Sequence, residues 1–289
     1  MTSSDKPTTT TVDLVAPTLD RRYRITLQPP LGGQEPLAAL FVLDANAYQP
    51  VMAQVAMLRS LGEETVPILT VGIGYPESDP ETWLARRLLD LTPSVPARFR
   101  PGDSTNPADW GGLDRFLDFI DQQVQPLVRE AFPAAARHRV LFGHSLGGLA
   151  VVRALLRRPA SYEGWFAVSP SLWWEDRMAL QDLAPWSAAA QQPARPPKVF
   201  LSVGGLEETP PKRLPKAPWA EGLTLEQEAA ETARCRMIGN TLDLAEALRP
   251  TLERLGGEVM CRVLEGETHL SVVPSSLTAA FDLHFAPAE

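Results

Sequence analysis

A serine at position 145 stands between glycines in Gly143-His144-Ser145-Leu146-Gly147, the G-x-S-x-G spacing of a nucleophile elbow. In such a turn the chain reverses so sharply that its neighbours must be small, and the hydroxyl projects into the open. A hydroxyl attacks a carbonyl only once a base takes its proton, and histidine has the pKa for that exchange near neutrality. The chain has four histidines, His138, His144, His269 and His284. His138 lies at the far end of the strand that leads into the elbow, and His144 adjoins Ser145 with its side chain directed elsewhere. His284 sits among apolar neighbours near the C-terminus. His269, in a polar segment after the last expected strand, is therefore the expected base. The acid that orients it belongs after the preceding strand, where Glu207 and Glu208 follow the turn Gly204-Gly205. Glu207 is preferred, although two adjacent carboxylates are not separable by sequence and a Ser-His dyad needs neither. Two backbone N–H groups must also meet the oxyanion of a tetrahedral intermediate, and losing one such donor costs about 10²- to 10³-fold in rate. Leu146 supplies one by its place after the nucleophile, and Ala45 or Asn46, after an early strand, the other.

These residues need a scaffold that brings the ends of several strands together. Arg139 to Phe142 reads as a short buried strand, and Leu146 to Leu156 as an apolar helix closed by Arg157, Arg158 and Pro159. Strand, sharp turn and buried helix are the setting of the elbow in an α/β-hydrolase. Strand-type runs recur at Tyr23 to Leu27, Leu37 to Leu43, Val66 to Ile73, Gly164 to Val168, Lys198 to Val203 and Val259 to Leu264. Helical spacing fills the intervals to Leu61, from Leu113 to Ala131, from Thr224 to Leu255 with a bend near Pro250, and from Ser276 to Phe285. The alternation predicts a mostly parallel central sheet with helices on both faces, an α/β-hydrolase fold. From Gly74 to Trp110 the rhythm lapses into a long irregular segment, of a length usually reserved for a wall of an active site.

The 289 residues read as one domain, with residues 1–18 as a flexible tail and residues 209–222 as a proline-rich insert beside the expected acid. A net charge of -8 argues against a nucleic-acid surface. Cys235 and Cys261 have neither metal-ligand nor redox spacing. No apolar run approaches the ~20 residues of a membrane span, and the N-terminus lacks the pattern of a signal peptide. A soluble cytoplasmic protein without metal or cofactor is the expectation.

Five ordered motifs carry a further resemblance. They are Leu43-Asp-x-Asn46, Arg87-x-x-Asp90-Leu-Thr-Pro93, Gly143-His-Ser-Leu-Gly-Gly148, Ser169-Pro-Ser-Leu-Trp-Trp174 and Gly266-x-x-His269-x-Ser-Val272. Together, over about residues 20–285, they are similar to the esterase family of α/β-hydrolases, and within it to esterases that open trilactone siderophores of the enterobactin, salmochelin and bacillibactin type. The resemblance implies cofactor-free acyl transfer to water at Ser145. It implies as partner a small-molecule ester, a catecholate siderophore with or without iron, with no nucleic acid or membrane. Such a polyanion calls for cationic and aromatic walls, for which Arg86, Arg87, Trp173, Trp174 and His144 are the candidates. A general carboxylesterase or thioesterase for small acyl or aryl esters would share every catalytic residue, and a non-catalytic siderophore- or partner-binding protein would keep only the fold.

Overall fold

The computed structural model describes residues 8–99, 104–190, 195–210, 212–213 and 222–287. In chain order the strands are β1 (Thr10–Ala16), β2 (Arg21–Gln28), β3 (Ala38–Val42), β4 (Ile68–Gly74), β5 (Arg139–His144), β6 (Gly164–Val168), β7 (Lys198–Gly204) and β8 (Glu258–Leu264). They form one sheet in the order β1-β2-β4-β3-β5-β6-β7-β8, antiparallel across β1-β2-β4 and parallel from β4 to β8. The helices are α1 (Ala45–Leu61), α2 (Pro80–Leu91), α3 (Leu113–Phe119), α4 (Gln125–Ala131), α5 (Leu146–Arg157), α6 (Trp174–Gln181), α7 (Leu183–Ala189), α8 (Leu225–Cys235), α9 (Met237–Arg254) and α10 (Val272–Phe285).

The central strands are apolar at successive positions because both of their faces are covered. Register puts Val42, Phe142, Phe166 and Phe200 in one row under α1 and α10, with Phe142 and Phe166 edge to face at 4.9 Å. Phe41, Leu141, Trp165 and Val199 form the row on the opposite face, in the core shared with α3, α5 and α9. Loops at the carboxyl ends of β3, β5, β6, β7 and β8 open on one edge of the sheet, the place where open α/β sheets bind ligands.

Several expectations are corrected. Residues 1–18 are not all tail: Thr10–Ala16 pairs with β2, turning Val12, Leu14 and Ala16 inward in the alternation of an edge strand. Residues 1–7 lie outside the described residues, as does most of the expected 209–222 insert (211 and 214–221). The segment from Gly74 to Trp110 contains α2, opened by Asp79, whose carboxylate caps Thr82 N at 2.8 Å, with Pro80 as first helical residue. The helical region after Thr224 breaks at Arg236, which is left-handed at φ 42°, and Pro250 is accommodated within α9.

Candidate active site

Ser145 joins β5 to α5 with φ 60° and ψ -118°, a strained conformation for a residue with a side chain, costing of order 1–3 kcal/mol. The turn is held from outside. Ser145 N–H bonds the Val168 carbonyl of β6 at 3.0 Å, and its own carbonyl accepts from Leu149 at 3.0 Å and Ser171 at 3.1 Å. Gly143 is obligatory because a Cβ there would lie 2.1 Å from the Gly147 carbonyl oxygen. Gly148 lets α5 approach the loop after β6, since a Cβ there would sit 2.9 Å from Pro170 Cα.

The loops after β7 and β8 bring the expected acid and the expected base together. His269 Nδ1 donates to Glu207 Oε2 at 2.6 Å, and the Glu207 side chain is almost wholly buried. The other carboxylate oxygen accepts from Ser169 Oγ at 2.5 Å and from Gly204 N at 2.7 Å. Glu207 is thus fixed from three directions, and its carboxylate assigns the proton to Nδ1 of His269, leaving Nε2 bare. Glu208 turns away and accepts from Gly239 N at 2.9 Å in the first turn of α9. Of the two glutamates only Glu207 meets the histidine.

Leu146 and Ala45 are the first helical residues of α5 and α1, and Asn46 is the second of α1. First-turn N–H groups have no acceptor inside their own helix, so both helices present free donors and the positive ends of their dipoles. The loop that carries Ala45 is fixed on both sides. Asp44, left-handed at φ 51° and 4% exposed, receives Arg87 in a fork, Nε to Oδ1 at 2.9 Å and Nη2 to Oδ2 at 2.8 Å. The side chain of Asn46 donates to the carbonyls of Tyr75 and Glu77 and accepts from Tyr75 N at 2.7 Å, tying the loop to the end of β4.

The expected wall residues divide. Trp173 and Trp174 line a cavity with Pro96, Arg98, Asp176 and Glu231, and the Trp173 ring is covered by the Arg234 guanidinium at 4.8 Å. Arg86, Arg87 and His144 are engaged by distant parts of the chain, and so is the indole N–H of Trp174. Arg87 is spent on Asp44. Arg86 bonds Glu77 and the Arg22 carbonyl and lies over Tyr75. Trp174 is 4% exposed, donating to Ser94 Oγ and packing tilted against Trp110. His144 is 3% exposed, with both ring nitrogens engaged by Tyr48 and by the carbonyl of His269. Its burial holds its pKa well below the usual histidine range.

Three side chains at the candidate site escaped sequence reasoning: Ser169 on Glu207, Ser171, whose hydroxyl is 3.4 Å from that of Ser145, and Tyr48. The two serines fall inside the Ser169-Pro-Ser171 motif, the one signal available; nothing local marks Tyr48. Among the described residues no cluster of histidine, cysteine and carboxylate side chains could hold a metal ion, and no helix is long and apolar enough to cross a membrane.

Comparison with known proteins shows the family. A family model described as "Putative esterase" matches residues 16–247. The siderophore triacetylfusarinine C esterase of Aspergillus fumigatus is 32% identical over 258 residues, covering 88% of this chain and 83% of that protein. The ferri-bacillibactin esterase BesA of Bacillus subtilis is 26% identical over 275 residues, covering 92% and 86%. Among solved structures, the siderophore hydrolase EstA of Aspergillus nidulans superposes with a TM-score of 0.79 at 26% identity, over 96% of each chain.

Proposed function

This chain belongs to the esterase family and is a carboxylic ester hydrolase; from that premise we propose that it cleaves the ester linkages of a trilactone siderophore by acyl transfer through Ser145. The observation that carries the mechanism is the 2.6 Å contact between His269 Nδ1 and Glu207, on a histidine whose other nitrogen is free to act.

Ser145 Oγ adds to the ester carbonyl while His269 Nε2 accepts its proton. Glu207 stabilises the imidazolium that forms and stays ionised itself. The oxyanion is met by the N–H groups of Leu146 and of Ala45 or Asn46, donors fixed before the substrate arrives, so little reorganisation is needed. Collapse of the intermediate expels an alkoxide, which takes the proton from His269. Water then attacks the acyl-serine with the same histidine as base, freeing the carboxylic acid and Ser145. Every proton goes through one imidazole, and no further group is required for balance.

The small-molecule ester is assigned to the siderophore class because the relatives above are named for such substrates over most of this chain's length. Opening the ester ring would dismantle the chelator and aid iron release. The test is product analysis by mass, with the protein and its Ser145→Ala variant incubated with iron-free and ferric enterobactin and with a short aryl ester. Linear trimer, dimer or monomer, absent with the variant, is the expected result. Cleavage of the aryl ester alone would overturn the siderophore assignment and favour a general carboxylesterase.

A further inference from the structure

His144 is buried beside the nucleophile, yet it neither touches the hydroxyl of Ser145 nor opens on the site. Its two hydrogen bonds run in opposite directions. One ring nitrogen, Nε2, lies 2.7 Å from the backbone carbonyl of His269, and the other, Nδ1, 2.7 Å from Tyr48 Oη. A carbonyl oxygen only accepts, so Nε2 carries the proton. In the neutral ring Nδ1 is then the acceptor, and the phenol of Tyr48 donates to it. Burial keeps the ring neutral, and the neighbouring His269, with ring centroids 4.5 Å apart, adds to that when it is protonated.

These two bonds connect three separate parts of the site. Tyr48 lies in the first turn of α1, three residues beyond Ala45, a proposed oxyanion donor. His144 is the last residue of β5, next to Ser145. His269 stands in the loop after β8, held there at its side chain by Glu207. The Glu207 contact fixes the rotation of the imidazole but not the height of the backbone that carries it. The bond from His144 fixes that backbone, and the bond from Tyr48 refers it to the helix that supplies the oxyanion donors.

We propose that His144 is a positioning residue, a neutral two-way link holding the backbone of the catalytic histidine in register with the nucleophile and with the N-terminus of α1. The proposal rests on the Ser145–His269–Glu207 reading given above. Attack and oxyanion stabilisation depend on the same atoms being placed together, and a displacement of about 1 Å can cost about 10²-fold in rate. Because His144 touches no substrate, its loss acts on kcat and leaves KM nearly as it was.

The test uses the full chain and a short aryl ester, with kcat, KM and thermal midpoint measured for His144→Phe, His144→Gln, Tyr48→Phe and His269→Ala. A glutamine amide can donate to the His269 carbonyl as Nε2 does, whereas phenylalanine cannot. His144→Phe is expected to lose ~10- to 100-fold in kcat with KM within about twofold, and His144→Gln to recover most of that loss. Tyr48→Phe, which leaves the bond to His269 but removes its reference to α1, is expected to lose ~3- to 10-fold in kcat, and serves together with the Gln variant if His144→Phe does not fold. Wild-type kcat in folded His144→Phe, or a lowered midpoint with unchanged kcat in all three variants, would overturn the positioning role. A Gln variant no better than Phe would do the same, since no donor would then be at issue. Full activity in His269→Ala would instead remove the catalytic reading beneath it, so the two failures are told apart.

Discussion

Replacing Glu207 by glutamine changes one oxygen to an amide nitrogen, and the surroundings decide which. The Oε1 position receives two donors, Ser169 Oγ–H and Gly204 N–H. Gly204 is main chain and cannot turn away, so an amide nitrogen there would face it donor to donor inside a buried site, a loss of about 1–3 kcal/mol. The amide therefore keeps its oxygen at Oε1 and turns its NH₂ toward His269 Nδ1. That nitrogen must then accept, the proton moves to Nε2, and the ring no longer has a lone pair with which to deprotonate Ser145. The fold is untouched while the tautomer is reversed.

The corresponding exchange in a Ser-His-Asp triad lowers kcat by about 10⁴, or about 5 kcal/mol of transition-state stabilisation. Glu207→Gln is expected to lose a similar factor in steady-state hydrolysis of an aryl ester at pH 7, with a melting temperature close to the wild type. The neighbouring Glu208→Gln keeps an amide oxygen to accept from Gly239 N, removes only a charge away from His269, and should retain most activity. A Glu207→Gln enzyme with more than a tenth of wild-type kcat would refute the reasoning and leave a Ser-His dyad; equal losses in the two variants would refute the assignment of the acid.

Three other outcomes follow from the same contacts. Arg87→Met strands the buried Asp44 carboxylate, 3.4 Å from where a side chain on Gly147 would begin, and is expected to cost about 3–5 kcal/mol in urea unfolding; a variant within 1 kcal/mol of wild type would mean the pair is not what holds this loop. Trp173→Ala removes the aromatic wall beneath Arg234, two residues past Ser171, and should raise KM for a siderophore ester about tenfold, about 1.4 kcal/mol, while a short aryl ester is unaffected; equal effects on both substrates would place its role elsewhere. Asp90 is fully buried, and burial raises its carboxyl from 3.8 to about 6 despite hydrogen bonds from Tyr23 and Tyr75. Its contribution to stability is complete below the unfolded value and is lost as pH rises through about 6, so wild type should lose about 2 kcal/mol relative to Asp90→Asn between pH 4 and pH 7, and a difference constant over that range would exclude a shifted Asp90.

What could be read in the sequence differs in kind from what could not. Ser145 and His269 are legible because each follows a strand whose apolar run marks where the sheet ends, and chain order supplies the rest. Glu207 and Glu208 are equally well placed by that logic, and only packing separates them: one faces the loop after β8, the other the start of α9. Helix α2 is hidden because the positions that should be apolar hold Arg87 and Asp90, whose partners, Asp44 and the tyrosines at 23 and 75, stand on β2 or at the ends of β3 and β4. Strand β1 is hidden because an edge strand needs only one covered face, and its exposed half is polar. The expected wall residues that have tertiary partners share that cause. Arginine and tryptophan are the side chains most used to bind ligands, and equally the ones most able to pin one loop to another. Arg87, Arg86 and Trp174 do the second, over 43, 64 and 80 positions of sequence, and no local pattern carries a relation of that range. The proposed site is therefore legible in its candidate reacting residues and illegible in its supports: the first are placed by strand ends, the second by tertiary partners such as Ser169 for Glu207 and Tyr48 for His144.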